Sequence, residues 1–310
     1  MSRGAVSKAG GWRSALRGLR ARASMALQAA LLLALTADPA TALTLVDDRG
    51  QTVNLAQPAQ RIVSLSPSNT ESVCALGACE RLVGVDRYSS WPESVRTLPR
   101  LGGLEDTPIE RVVALRPDLV LAPSSSRAIA RLEGLGLKVL ALEPKGFADT
   151  RRVLNTVAQA IGQPEAGEAV WGRMLARIEA AGHRLPAAWS GASAYVEVAE
   201  TPFAASAGSF VGELLARMGL VSIVPAQLGP FPQISPEFVV RANPTLIVAS
   251  EQGMRSMAKR PGWGALDALR TGRRCGLPTE RWDPLMRAGP RLGEAADALA
   301  DCLMALPPPR

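Results

Sequence analysis

Two stretches of this chain repeat each other. ERVVALRPDLVLA begins at Glu110 and EFVVRANPTLIVA at Glu237, and aligned without a gap they share six of thirteen residues at a constant offset of 127. Each reads as a short helical run, then a residue–proline pair that disfavours further helix, then an apolar strand. A chain that builds the same helix–Pro–strand unit at matching points of two halves is constrained towards a pseudo-symmetric α/β fold.

The surrounding pattern fits. RIVSL (61–65), RLVGV (81–85), DLVLA (118–122) and KVLALEP (138–144) read as short buried strands alternating with helical runs. That alternation implies a mainly parallel sheet covered on both faces. Ser68, Asn69 or Thr70 is expected to cap the helix TESVCALG, which Gly77 ends, and Thr107 with Glu110 has capping-box spacing. A long helix follows from Pro164, with Ala169, Val170, Met174, Ile178 and Ala181 on one apolar stripe, and the alternation then restarts from SAYVEV. The expected fold is α/β: two Rossmann-like lobes with central parallel sheets, 43–163 and 187–310, joined by a linking helix at 164–186, with a cleft between them.

Residues 1–42 read as a cleavable export signal. Arg3, Lys8, Arg13, Arg17, Arg20 and Arg22 form a basic head, Met25–Leu35 an apolar core, and Ala40-Thr41-Ala42 a small-x-small cleavage pattern. The apolar run is too short for a bilayer of ~30 Å. Of the net charge of +7 most belongs to this segment; the remainder carries 29 basic and 27 acidic residues. A net of +2 over the rest gives no reason to expect a nucleic-acid partner. Export implies an oxidising compartment for the four cysteines. Cys74–Cys79 with Cys275–Cys302 is the simplest of three open pairings.

Catalytic motifs are absent: the sequence has no GxSxG elbow, no phosphate loop and no GxGxxG after a strand. SAGSFVG (206–212) is read as a helix cap, and the single histidine, His183, as a solvated helix end. Two lobes without such chemistry point to binding, an α/β enzyme or a ligand sensor being the readings of another class. In open α/β sheets, ligands lie outside the carboxyl ends of strands. The loops expected there are SPSN (66–69), RYSSWP (87–92), APSSS (122–126), ETPFAASAGS (200–209), GPFPQ (229–233) and RWDPLMRAGPR (281–291). Of 13 aromatics in the chain, Tyr88, Trp91, Phe203, Phe231 and Trp282 fall in them, which suits a flat or bulky apolar ligand. Arg287 would offer a fork of donors to an amide or carboxylate.

From RIVSLSPSNTE through YSSWP, IERVVALRPDLVLA and FPQISPEFVV to RAGPRL, the chain resembles the helical-backbone (class III) substrate-binding proteins of ATP-binding-cassette importers. The resemblance implies capture and delivery of a ligand by a periplasmic monomer, with no catalysis and no resident cofactor. It is strongest to the members that bind corrinoids (vitamin B12-like ligands); haem and ferric siderophores are the family's alternatives. It places Pro67, Ser68, Asn69 and Tyr88 on the ligand from one lobe, and Phe231, Asp283 and Arg287 from the other. This chain departs from the corrinoid binders at Leu104, Pro123 and Phe231, where they carry tryptophan. The resemblance also implies that Glu110 and Glu237 face outward, one per lobe, and meet the two subunits of a permease.

Overall fold

The computed structural model describes Met1 and residues 42–199, 202–257 and 259–309. Apart from Met1 and Ala42, the segment read as an export signal lies outside the described residues. From Leu43 the chain forms an antiparallel hairpin of β1 (Leu43–Val46) and β2 (Thr52–Leu55), which the strand reading had not included. There follow β3 (Ile62–Ser64), α1 (Pro67–Ala75), β4 (Leu82–Val85), α2 (Ile109–Ala114), β5 (Leu119–Ala122), α3 (Ile129–Gly134), β6 (Val139–Ala141) and α4 (Phe147–Ala160). The linking helix is α5 (Pro164–His183), 20 residues long, about 30 Å at 1.5 Å per residue. The second lobe holds β7 (Ser193–Ala199), β8 (Phe203–Ala204), α6 (Phe210–Arg217), β9 (Val221–Ser222), α7 (Pro236–Ala242) and β10 (Leu246–Ser250). It closes with α8 (Glu251–Met257), α9 (Asp267–Arg270), β11 (Arg274–Leu277), α10 (Thr279–Leu285) and α11 (Leu292–Met304).

The first-lobe sheet has the order β4-β3-β5-β6 and is parallel throughout. The second runs β11-β10-β7-β8, with β9 also on β7; only the β7–β8 pair is antiparallel. The echoed units supply the central strands β5 and β10, and their side chains divide in the same way. Leu119 and Leu121 point into one core while Val120 and Ala122 fill another; Leu246 and Val248, Ile247 and Ala249 repeat this. Both faces of each strand are buried, so the runs are apolar without alternation. The echo extends to the backbone. Arg116 (φ 45°) and Asn243 (φ 41°), again 127 residues apart, are the two non-glycine residues with positive φ among the described residues. The left-handed turn frees the chain from helix before Pro117 and Pro244.

Local expectations are met in part. Gly77 follows α1 with φ 79°, the left-handed helix stop that glycine favours. The cap of α1 is Ser66, however, whose hydroxyl accepts from Asn69 N at 3.4 Å. Pro67 fits the first turn, so the helix starts earlier than Ser68–Thr70 had suggested. The Thr107–Glu110 box does not form: the Thr107 hydroxyl donates back to Gly103 O, leaving α2 without a side-chain cap. The buried stripe of α5 is Gly167, Val170, Trp171, Met174, Ile178 and Ala181, whereas Ala169 is exposed. Gly167 lets α5 lie close on α4, since a Cβ there would meet Asn155 Cα at 2.8 Å.

One apolar cluster runs from Leu45, Leu55, Leu121 and Leu154 of the first lobe, through Met174 and Ile178 of α5, to Leu214, Val248 and Leu299 of the second. Hence α5 is shared core, not a tether. Disulfides Cys74–Cys79 and Cys275–Cys302 form the near-with-near pairing.

Candidate ligand-binding site

In the first lobe the carboxyl ends of β3 and β4 are tied together by hydroxyls. Thr70 Oγ1 lies 2.8 Å from both Ser64 Oγ and Ser89 Oγ, and the Ser89 hydroxyl donates to Asp86. Asp86 Oδ2 accepts from Tyr88 N at 2.8 Å. Burial pushes the Asp86 carboxyl above its ordinary range, and the bonds from Ser89 and Tyr88 N pull against it. The backbone of the 86–89 loop is thus held from within while the Tyr88 side chain remains 62% exposed. Its ring packs beside Gly103, with the Arg87 guanidinium 5.9 Å from its centroid.

Other first-lobe candidates are more occupied. Pro67 and Ser68 lie half-buried in the first turn of α1. Asn69 is fully buried and its Nδ2 donates to Leu142 O at 3.2 Å, so in this arrangement it braces the sheet. Trp91 stands over a depression of about 320 Å³ walled by Val170, Met174 and Arg177 of α5 with Pro290 and Arg291. Its ring carries the Arg291 guanidinium at 4.7 Å, which gives it a stacking partner on the backbone-helix side.

In the second lobe, segments 202–206 and 230–234 zip together through Ala204 N to Pro232 O, Ser206 N to Pro230 O and Ile234 N to Pro202 O, all 3.0 Å. This pairing sets Phe203 and Phe231 on neighbouring strips. Phe203 is 37% exposed; Phe231 is half-buried, edge-on to Phe210 at 5.4 Å. Glu200 and Thr201 of the same loop lie outside the described residues. The stretch 281–291 was expected to be loop, but its first half belongs to α10, and Trp282 packs partly buried against the shared core. Apolar positions Trp282 and Leu285 at helical spacing are the signal that reading passed over.

The second half of that stretch crosses to the first lobe. Arg287 Nη1 donates to Glu71 Oε1 at 2.6 Å, and its Nη2 to Asp283 Oδ2 at 2.6 Å and to Tyr88 O at 3.3 Å. Arg291 Nη1 reaches the same Glu71 Oε1 at 3.3 Å and the rest of its fork holds Glu294. The fork expected to meet a ligand is therefore engaged with protein groups. Burial pushes the Glu71 carboxyl above its ordinary value, with the two arginines drawing it back. Sequence reasoning missed Glu71 and Arg291; the trace available was a carboxylate inside a buried helix, which needs a cationic partner from elsewhere. A second crossing lies at the head of α4, where Glu213 Oε1 accepts from Phe147 N at 3.2 Å. That helix end has no side-chain cap of its own.

The remaining groups are placed as follows. Tyr195 is fully buried, its hydroxyl donating to Glu197 Oε2 at 2.8 Å, and burial raises its phenol. His183 is exposed at the last turn of α5. Glu110 and Glu237 are exposed in the first turns of α2 and α7. Glu110 pairs with Arg131 at 3.3 Å beside a groove of about 580 Å³ that includes Val113 and Leu135.

Residues 62–280 match the family model described as periplasmic binding protein. An uncharacterized ABC transporter substrate-binding lipoprotein of Bacillus subtilis is 28% identical over 272 residues, covering 84% of this chain and 85% of its own. The vitamin B12-binding protein of Yersinia pestis is 30% identical over 199 residues, 63% of this chain and 71% of its own. Among solved structures, the periplasmic vitamin B12 binding protein of Vibrio cholerae aligns at a TM-score of 0.66 with 26% identity, covering 80% of this chain and 98% of that one. A periplasmic heme-binding protein from Roseiflexus aligns at 0.67 with 26% identity and the same coverage. The matched span runs from β3 into α10 and so takes in both sheets and the linking helix. The chain belongs to the periplasmic binding protein family, in its helical-backbone form.

Proposed function

We propose that the protein is an exported receptor that encloses a corrinoid between its lobes and hands it to the permease of an ABC importer. The relatives named for vitamin B12 binding and for ABC transport support the class. The observation that carries the ligand is which side chains are left uncommitted at the carboxyl ends of the strands. Tyr88 and Phe203 are exposed aromatics, whereas Asp283, Arg287 and Arg291 are tied to one another or to Glu71 and Glu294. A macrocycle with apolar faces, a rim of amides and its own bound metal suits aromatic walls and few free charges. Haem is the second reading, and it rests on one group. His183 is at a solvated helix end and Tyr195 is buried, so Tyr88 is the phenol or imidazole available to an iron. Glu110 and Glu237, at equivalent places of the two lobes, are the proposed contacts to a two-fold permease.

Calorimetric titration of the mature protein with cyanocobalamin and with haemin decides the ligand. Cyanocobalamin should bind, Tyr88→Phe should leave its affinity within about twofold, and Tyr88→Ala should weaken it by about tenfold, or ~1.4 kcal/mol. Haemin binding that Tyr88→Phe abolishes, with no heat from cyanocobalamin, would overturn the reading.

A further inference from the structure

The buried crossing between lobes has a geometry that ligand contact does not account for. Glu71 is 1% exposed and lies on α1, while its partners Arg287 and Arg291 are 216 and 220 residues away, on the segment joining α10 to α11. Between them Gly289 rests on the first turn of α1: a Cβ there would lie 3.8 Å from Ser68 O and 3.9 Å from Glu71 Oε2. The same segment reaches the Tyr88 carbonyl through Arg287 Nη2. One strip of the second lobe therefore grips both the start of α1 and the loop that presents Tyr88.

We infer that Arg287 and Arg291 are positioning residues that fix the spacing of the lobes through Glu71, and that Arg287 sets the Tyr88 ring by holding its carbonyl rather than by touching the ligand. The second clause rests on the proposed role of Tyr88 in ligand capture; the first stands without it. The lock contributes geometry more than stability. Desolvating a carboxylate and two guanidinium groups offsets what their attraction returns, and Glu71 Oε2 has no partner among the described residues. Each arginine also keeps a second carboxylate, Asp283 or Glu294, so removing the Glu71 charge orphans neither. When the lock opens, the lobes spend less time at the spacing that a ligand needs, and apparent affinity falls by that fraction.

The test uses Glu71→Gln, which keeps the side-chain volume, with Arg291→Gln as a second way to open the lock and Arg287→Gln to separate lock from ligand contact. Nitroxide residues at the exposed positions Ala130 on α3 and Ala242 on α7, introduced as non-natural amino acids to spare the disulfides, report the lobe spacing by double electron–electron resonance. In ligand-free protein both Glu71→Gln and Arg291→Gln should broaden the distance distribution. Distributions superimposable on the parent's for both variants would refute the lock, whatever the ligand proves to be. For cyanocobalamin, Glu71→Gln should weaken binding by about tenfold, as expected if the competent spacing falls to about a tenth of the population. Adding Arg287→Gln should weaken it further by releasing the Tyr88 carbonyl, but by less than about twofold when Tyr88→Ala is also present. If Glu71→Gln leaves affinity unchanged or tighter and Arg287→Gln still costs about tenfold with Tyr88→Ala present, Arg287 is a direct ligand contact and the positioning role is wrong.

Discussion

Replacing Ile178 by alanine tests whether α5 welds the lobes or only connects them. Ile178 is fully buried in the C-terminal half of α5, in the one cluster among the described residues that contains residues of both lobes. The substitution removes three carbons, about 2.4 kcal/mol of transfer energy at ~0.8 kcal/mol each. The cavity left between helices adds to this, placing the loss at roughly 3–4 kcal/mol. Chains with two lobes often unfold in steps, so where the loss appears is informative. Native-state hydrogen exchange resolves it, because β5 is the central strand of one lobe and β10 of the other. Both should lose protection by the same factor, and urea unfolding should remain a single transition shifted to lower denaturant. Loss confined to one strand, a split transition, or a change under about 1 kcal/mol would show that the lobes hold separate cores and that the shared cluster is a contact without cooperative weight.

Two further outcomes follow from the site. Glu110→Arg with Glu237→Arg should abolish stimulation of permease ATPase and uptake while cyanocobalamin titrations stay within about twofold of the parent, since both side chains are exposed; collapse of ligand binding as well would make the pair structural. The acid behaviour of Glu71 has a defined sign. Its folded carboxyl lies above the ordinary value of 4.5, so just above that pH the folded protein keeps a proton that the unfolded chain has lost. Stability due to this group therefore falls as pH rises from about 4.5 through the folded value. Urea unfolding at pH 4, 5.5 and 7 should show Glu71→Gln gaining on the parent as pH rises. Parallel curves would mean that the arginines fully offset the burial.

What could be read from the sequence was whatever short spacing controls. The alternation of strands and helices, the shared Pro breaks, the long helix from Pro164 and the near pairing of cysteines all depend on neighbours within a few residues or on a constant repeat. The capping assignments around Ser66 and Thr107 failed because several hydroxyls compete there, and only the tertiary fold chooses. The site was less legible. Loop position identified Tyr88 and Phe203 as candidate aromatics, and both are exposed. It could not show that Trp91 sits under Arg291 or that Asn69 braces Leu142, because each depends on a partner far along the chain.

The echo shows the same division from the other side. Arg116 and Asn243 share a left-handed backbone and Glu110 and Glu237 share an exposed first turn, so symmetry governs the frame and the outer face. It does not govern the inside of the cleft. Glu71 receives two arginines from the second lobe, whereas the crossing in the other direction is a single carboxylate, Glu213, on a backbone N–H of α4. A symmetric pair of outer prongs suits a two-fold partner; an asymmetric interior suits a ligand that has none. On the proposed docking role, the duplicated stretch marks the face turned to a partner, and the ligand is to be sought where the two halves stop resembling each other.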